Sequence, residues 1–562
     1  MDEIKKLIID LLKSAGVSGN IELTSPPKPE MGDFCFACFD IAKQNQKNPQ
    51  EVARDLSKKI KQSEIINNVE ANGPYVNFFI NSGVAVKILL ASIIKQNKSK
   101  LSNIGQKGKV VIEYPSNNTH KELHIGHLRN ICIGNSLVQL SKHNGYNVAP
   151  INYINDFGAH VAKCLWGLIK FHNKEEPPAN KQKWLGEIYA EASRYLEEHP
   201  EFKLEVQEIQ KKLESGDKGI EKLYSRTRKW SLDQFKKIYK QLGVYHKKTF
   251  YEKEVKKAGQ KMVDNLIESG VAKTGEGGAI IVDLSSYGLD IALLRKSDGT
   301  GLYLTSDLGL AFGKNLYFRD YKESIHLTGT EQNFYFKQLF KILALAGYDY
   351  KMTHIGYGLV SLTEGKMSSR SGRVVLYEDV WQMVYDKALL ETADRHTDWS
   401  RKKLEKTAQL IAMSAIKFDF LKHESSKAMV FDPVTAVSFD GFTGPYILYT
   451  IARINSIIRK KKICARGIDF GLLVEPEEKR LTIKMAELKD VAVKAMANYN
   501  PSIIAKYAFD TAKLYNDFYS KHSVLKANNQ ELVNARVFLS STVKDILTKA
   551  LELLSIETIK EM

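Results

Sequence analysis

The chain contains no run of about 18 apolar residues, so no membrane-crossing helix is expected. Cysteine is scarce and odd in number: Cys35, Cys38, Cys132, Cys164 and Cys464 are all there are. That argues against a disulfide framework and for a reducing compartment. Cys35 and Cys38 form a lone CxxC inside an apolar run. No second CxxC or histidine pair follows at zinc-finger spacing, so packing is the simpler reading and no metal site is expected. The opening stretch MDEIKKLIIDLLKSAG contains acids and lacks both the apolar stretch and the small-residue cleavage site of a signal peptide. Internal repeats and low-complexity tracts are also missing. These absences exclude a membrane protein, a secreted disulfide scaffold and a repeat array, and they point to a cytoplasmic globular protein.

With 562 residues the chain has room for roughly three to five domains. Its 43% apolar and 26% charged residues are those of an ordinary globular protein. Lysine and arginine number 82 against 65 acids, a formal charge of +17. Such a surplus suits a polyanionic partner, or simply a solvated lysine-rich surface.

Residues 1–104 read as a small α+β domain. Ile4, Leu7, Ile8, Leu11 and Leu12 step along an opening helix, and Pro26, Pro27 and Pro29 break the chain. A helix is expected over about 48–63 and a strand over 75–80 after Gly73-Pro74. From Gly108 the pattern becomes strand (110–114), loop, helix (about 126–144, ended by Gly145) and strand (147–154), a βαβ unit that opens a parallel sheet. Residues 163–257 read as a mostly helical, polar insertion. A second βαβ unit follows: strand 325–327, helix 333–346, strand 352–360. Two βαβ halves with an insertion between them make a split Rossmann-type catalytic domain over 105–376. The rest reads all-α: a connecting segment over 377–425 and a helical domain over 426–562. Leu404, Ala408, Ile411, Ala415 and Phe418 share one helix face, as do Leu532, Leu539, Val543, Ile546, Ala550 and Leu553.

The loop of the first βαβ unit, residues 116–127, ends in His124-Ile125-Gly126-His127 where the helix begins. A helix N-terminus carries free N–H groups and partial positive charge, which suits phosphates. His124 and His127 can donate hydrogen bonds to a triphosphate, and Gly126 allows close approach of a base to the backbone. Lys121 adds charge that can follow the leaving pyrophosphate. In a chain of this composition HxGH arises by chance only about 0.02 times, and its strand–loop–helix setting makes chance less credible still. Just after the second half lies Gly365-Lys366-Met367-Ser368-Ser369-Arg370-Ser371-Gly372, a small cationic loop able to close over phosphates. Taken alone it could equally be a basic surface turn.

Together and in this order, the two motifs resemble the HIGH and KMSKS signatures of class I aminoacyl-tRNA synthetases. Ser369 departs from the pattern by standing where the second lysine is usual, so Arg370 or Lys121 would substitute. A lysine three residues before the first histidine is similar to arginyl-tRNA synthetases, and that resemblance extends over nearly the whole chain. It is carried by Glu113-Tyr114-Pro115-Ser116-Asn117-Asn118 and by Asn155-Asp156-Phe157-Gly158, with His160 where glutamine is common. Tyr303-Leu304-Thr305-Ser306-Asp307, Gly329-Thr330-Glu331-Gln332, Gly73-Pro74-Tyr75-Val76-Asn77-Phe78 and Gly441-Phe442-Thr443-Gly444-Pro445-Tyr446 resemble it as well.

The resemblance implies an arginine–tRNA ligase. It would use ATP, with Mg²⁺ accompanying the phosphates, to form arginyl-adenylate and would then charge tRNA(Arg), which must be bound before activation. His124, His127, Lys121 and Lys366 would be catalytic. ATP would meet His124, Gly126, His127, Lys366, Met367, Ser368 and Arg370. Arginine would meet Glu113, Ser116, Asn118, His124, Tyr303, Asp307 and Gln332; a guanidinium wants planar carboxylates in a partly dry pocket. Tyr446, Tyr449 and Arg453, on one helix face, would touch the anticodon loop. The N-terminal domain would meet the tRNA elbow, and a monomer is expected. Each residue has a plainer alternative: Glu113 and Asp307 could pair with internal cations, Tyr303 could be core, and the Tyr446 face could be packing. Other readings of the chain are a synthetase for another amino acid, a non-catalytic tRNA-binding paralogue, or a small-molecule nucleotidyltransferase.

Overall fold

The computed structural model describes residues 2–24, 26–96, 101–299, 301–363, 375–461 and 467–562. The signature loop 364–374, with Lys366, Met367, Ser368, Ser369 and Arg370, lies outside the described residues, as does Cys464.

The centre of the molecule is a five-stranded, all-parallel sheet. Its spatial order is Lys351–Tyr357, Glu323–Gly329, Lys109–Glu113, Asn147–Ile154 and Lys248–Tyr251. The first strand in sequence is central, and strands are added outward from it in both directions, which opens a crevice at the carboxyl ends of the strands. Val111 and Ile112 are fully buried, as expected of a strand covered on both faces. Both βαβ units read from the sequence are present. The polar helices expected over 163–257 are there, but Lys248–Tyr251 is the fifth strand of the sheet. Four residues with no alternation leave little signal for a strand.

Between the two halves sits a three-stranded antiparallel sheet, Lys273–Thr274, Ile280–Asp283 and Ile291–Arg295. It packs with the helices Glu252–Glu268 and Tyr303–Phe318. These two helices cross at glycines: a Cβ on Gly259 would lie 2.0 Å from the Thr305 carbonyl oxygen, and one on Gly309 would lie 2.2 Å from that of Val255. Only glycine permits this approach, and it holds the start of the second helix against the sheet.

The signature helix, Ile125–His143, is buried along most of its length and joins the parts of the molecule. Arg129, fully buried, donates to the carbonyls of Gly358 (2.7 Å) and Glu424 (3.1 Å). Ser136 Oγ donates to the Leu553 carbonyl in the C-terminal helix at 2.8 Å. Among the described residues after 376 the elements are helical save for Met429–Phe431, a short strand beside Val360–Leu362. The N-terminal part is a four-stranded antiparallel sheet with helices, in which Tyr75–Ile80 is the expected strand. The helix expected over about 48–63 spans Pro49–Lys59, capped by Asn48. Cys35 and Cys38 are buried there with free thiols. Asp33 Oδ2 accepts from the Ile80 amide at 2.7 Å and from Lys479 Nζ at 2.9 Å, tying this part to the C-terminal helices. Among the described residues no helix is long and apolar enough to cross a membrane.

Candidate active site

The loop after the central strand turns through Ser116, whose φ is +59°, and is stitched to the neighbouring strand end. The Asn155 amide donates to the Asn117 carbonyl and the Thr119 amide to that of Asn155, both at 3.0 Å. Asp156 is buried against Arg228 and accepts from the Lys253 amide at 3.2 Å, so it holds this turn against the insertion. His120 is buried between Thr119 and Thr227. His160 contacts the Asn155 carbonyl at 3.2 Å.

The signature histidines cap their own helix. His124 Nδ1 accepts from the Gly126 amide at 3.1 Å, and His127 Nδ1 accepts from the His124 amide at 3.3 Å. The rings are 3.8 Å apart between centroids. Burial and the charge of Lys121 lower both pKa values, His127 the more because His124 adds to them. Both rings are therefore neutral near pH 7, and with Nδ1 accepting, each carries its hydrogen on Nε2. The His124 and Gly126 amides at the helix start are satisfied by the rings, and the rings offer Nε2–H donors in their place. Gly126 is needed for this: a Cβ there would lie 2.9 Å from His124 Cε1. The Ile125 amide donates to the Val375 carbonyl and the Tyr377 amide to that of Leu123, so the described flank of residues 364–374 is bonded on both sides of His124.

One cavity of about 570 Å³ opens beside these histidines. It is lined by Glu113, Ser116, Asn118, His124, His127, Tyr303, Asp307 and Gln332, which come from three separate segments. The volume suits an amino acid with a nucleotide. Ser116 Oγ is buried with no partner among the described residues, an unusual state for a hydroxyl unless a ligand completes it. Tyr303 is 70% exposed, not core. Glu113 does pair internally: Lys314 Nζ lies 3.0 Å from its Oε2 and His326 Nδ1 3.4 Å. Burial would raise the Glu113 pKa, but the Lys314 charge and the contact with His326 hold it at about 2. Asp307 accepts from the Tyr335 hydroxyl, and burial raises its pKa to about 7. Lys121 is not in the lining; its amine sits 4.7 Å over the Tyr189 ring.

Family models match in sequence order across the chain. The class I (R) tRNA synthetase catalytic domain covers residues 89–433, the arginyl tRNA synthetase N-terminal domain 2–80, and the DALR anticodon binding domain 447–562. The arginine–tRNA ligase of Clostridium perfringens is 34% identical over 579 residues, covering 100% of both chains. That of Halothermothrix orenii is 32% identical over 575 residues with the same coverage. The chain belongs to the arginyl-tRNA synthetase family. It is an aminoacyl-tRNA ligase of translation whose substrates are arginine, ATP and tRNA(Arg). The arginyl-tRNA synthetase of Thermus thermophilus shares the fold, with a TM-score of 0.81 at 24% identity over 100% of both chains. That of Plasmodium falciparum has a TM-score of 0.78 at 21% identity.

In this arginyl-tRNA synthetase the other candidate cluster lies on the helices Gly444–Lys460 and Ser502–Lys521. Arg453 Nη1 donates to Asn516 Oδ1 at 2.8 Å, and Asn516 Nδ2 donates to the Tyr446 hydroxyl at 2.9 Å. The Arg453 guanidinium lies 4.8 Å from the Tyr449 ring and 5.2 Å from that of Tyr519. The three residues named from sequence do meet, with Asn516 and Tyr519 added. Sequence reasoning also missed Asn130, Tyr153, Tyr335 and Tyr357 in the cavity wall. It missed Glu252 too, whose pKa burial and the charges of Asp156 and Asp307 raise to about 7. No motif spacing marks these residues; only the fold assembles them.

Proposed function

We propose that arginine and ATP react in the cavity beside His124, and that its residues divide the work. Asp307 and Tyr303 take the guanidinium, with Glu113 behind them. Ser116, Asn118 and Gln332 hold the α-amino and carboxylate groups, with His124 at the boundary between amino acid and nucleotide. The Nε2–H groups of His124 and His127 donate to the phosphates, Gly126 keeps the ring of His124 in place, and Lys121 adds positive potential. Lys366, Met367, Ser368 and Arg370 bind ATP. The observation that carries this reading is the convergence of eight lining side chains from three segments on one cavity with donors at one end and a buried carboxylate at the other.

The arginine carboxylate attacks the α-phosphate of ATP, giving arginyl-adenylate and pyrophosphate. A terminal adenosine hydroxyl of tRNA(Arg) then attacks the carbonyl and releases AMP. Positioning and electrostatic stabilisation carry both steps. Mg²⁺ enters with ATP as part of the substrate, bound by phosphate oxygens, because the protein groups at that end are N–H donors. Tyr446, Tyr449 and Arg453 contact the anticodon loop by stacking and phosphate pairing. Residues 1–104 meet the tRNA elbow, 105–376 catalyse, 377–425 connect, and 426–562 read the anticodon. The protein works as a cytoplasmic monomer.

Asp307→Asn tests the assignment. It keeps the shape and loses the charge, so the arginine KM should rise by about 10² or more while the ATP KM stays within about threefold. An unchanged arginine KM would remove Asp307 from the site.

A further inference from the structure

The loop that carries Ser116 and Asn118 enters the left-handed region twice, at Ser116 (φ +59°) and at His120 (φ +61°). Neither residue is glycine, so each conformation has a cost that the surroundings must offset. Those surroundings include one face of the insertion helix Lys218–Leu242, along which Thr227, Ser231 and Tyr239 follow at steps of four and eight. Ser231 Oγ accepts from the His120 amide at 3.0 Å. Thr227 Oγ1 donates to carbonyls of its own helix and lies 2.8 Å from His120 Nε2. These contacts fix the far end of the loop. At the near end the Tyr239 hydroxyl accepts from Asn117 Nδ2 at 2.8 Å and from Asn152 Nδ2 at 3.1 Å. Both asparagines are fully buried, and neither amide oxygen has a partner among the described residues. Tyr239 is therefore the described side-chain partner of each. Asn117 stands between Ser116 and Asn118, which line the cavity; Tyr239 does not.

We propose that Tyr239 is a positioning residue for the α-amino and carboxylate groups of arginine: through Asn117 its hydroxyl holds Ser116 and Asn118 at the cavity wall. The inference rests on the reading that those two residues bind the α groups. The side chain that sets this end of the site belongs to the insertion rather than to either βαβ half, and it acts without touching substrate. Tyr239→Phe keeps the ring beside Phe235 and His246, at 6.1 and 5.3 Å between centroids, but leaves two buried amide donors without an acceptor. The two amides respond differently. Asn152 sits in a strand paired on both sides, which holds its place. Asn117 sits in a loop joined to the strand end through the backbone of Asn155 alone, so the loop shifts. The guanidinium end, on the helix Tyr303–Phe318, stays where it is.

The test uses the full chain in ATP–pyrophosphate exchange with tRNA present. Tyr239→Phe should raise the arginine KM about tenfold, with the ATP KM within about twofold. Propylguanidine, the arginine side chain without its α groups, is the competitive probe. Its inhibition constant should stay within about twofold in Tyr239→Phe and rise steeply in Asp307→Asn. Asn117→Ala should reproduce the effect of Tyr239→Phe. The double variant should exceed neither by more than about twofold, as for two partners in one bond. Asn152→Ala should lower the melting temperature and leave the arginine KM near wild type. An unchanged arginine KM in Tyr239→Phe overturns the proposal. So does a matched rise in the arginine KM and the propylguanidine constant, which would mean that the whole pocket has loosened. Multiplicative effects in the double variant, or an equal KM rise in Asn152→Ala, overturn it as well. If Ser116→Ala combined with Asn118→Ala leaves the arginine KM alone, the site reading fails and the proposal falls with it, whatever Tyr239→Phe does.

Discussion

Adding one methyl group at Gly309 tests how closely packing and substrate recognition are linked. The helices Glu252–Glu268 and Tyr303–Phe318 touch through Gly259 and Gly309, and an alanine Cβ at 309 would lie 2.2 Å from the Val255 carbonyl oxygen and 2.6 Å from the Gly259 amide nitrogen. Ordinary contact begins near 3.4 Å. Both obstacles are backbone, so no side chain can swing aside, and the helices must part by about 1 Å. Overpacking of this kind costs about 1–3 kcal/mol. The displaced helix carries Tyr303, Asp307 and Lys314, while Ser116, Asn118 and the histidines belong to another segment. A misplacement of about 1 Å between groups that must grip one substrate costs on the order of 10² in rate. Gly309→Ala should therefore lower the melting temperature and raise the arginine KM about 10- to 100-fold, with the ATP KM within about threefold. Pyrophosphate exchange with circular-dichroism melts would measure both. A variant that melts and activates arginine like the wild type would refute the argument that this crossing sets the position of Asp307.

Three further outcomes are expected. His127→Ala removes one Nε2–H donor and should slow activation by about 10²–10³ while leaving the arginine KM near wild type; single-turnover adenylate formation would show it. Arg453→Ala should raise the KM for tRNA about tenfold and leave tRNA-saturated arginine activation intact, measured by aminoacylation against tRNA concentration. Glu113 has a folded pKa of about 2 against an ordinary 4.5, so its ion pair stabilises the fold fully above 4.5 and that contribution fades as pH falls from there through 2. Acid unfolding followed by circular dichroism should show Glu113→Gln with a weaker dependence on pH across that window than the wild type.

Much of this molecule could be read from its sequence because its signals are local. The Gly73-Pro74 turn before Tyr75–Ile80, the apolar run ending at Glu113 and the HxGH at a helix start are each patterns of a few neighbouring residues. What could not be read depends on distant pairing. Lys248–Tyr251 is a strand because Asn147–Ile154 offers an unpaired edge, and KTFY alone has no period. The sheet over 273–295 is built from strands of two to five residues, too short for a pattern. Lys314 looks like any helical lysine until the strand carrying Glu113 is laid beside it. Sequence alone left open whether Glu113 binds an internal cation or a substrate; in the fold Lys314 and His326 occupy one of its oxygens. Glu252 faces the same region from a helix start that no motif marks.

The central claim is that this site activates arginine. ATP–pyrophosphate exchange with each of the twenty amino acids, with and without tRNA, tests it most directly. The account predicts exchange with arginine alone, and only when tRNA is present. Exchange driven by another amino acid, or none under any condition while tRNA still binds, would contradict it.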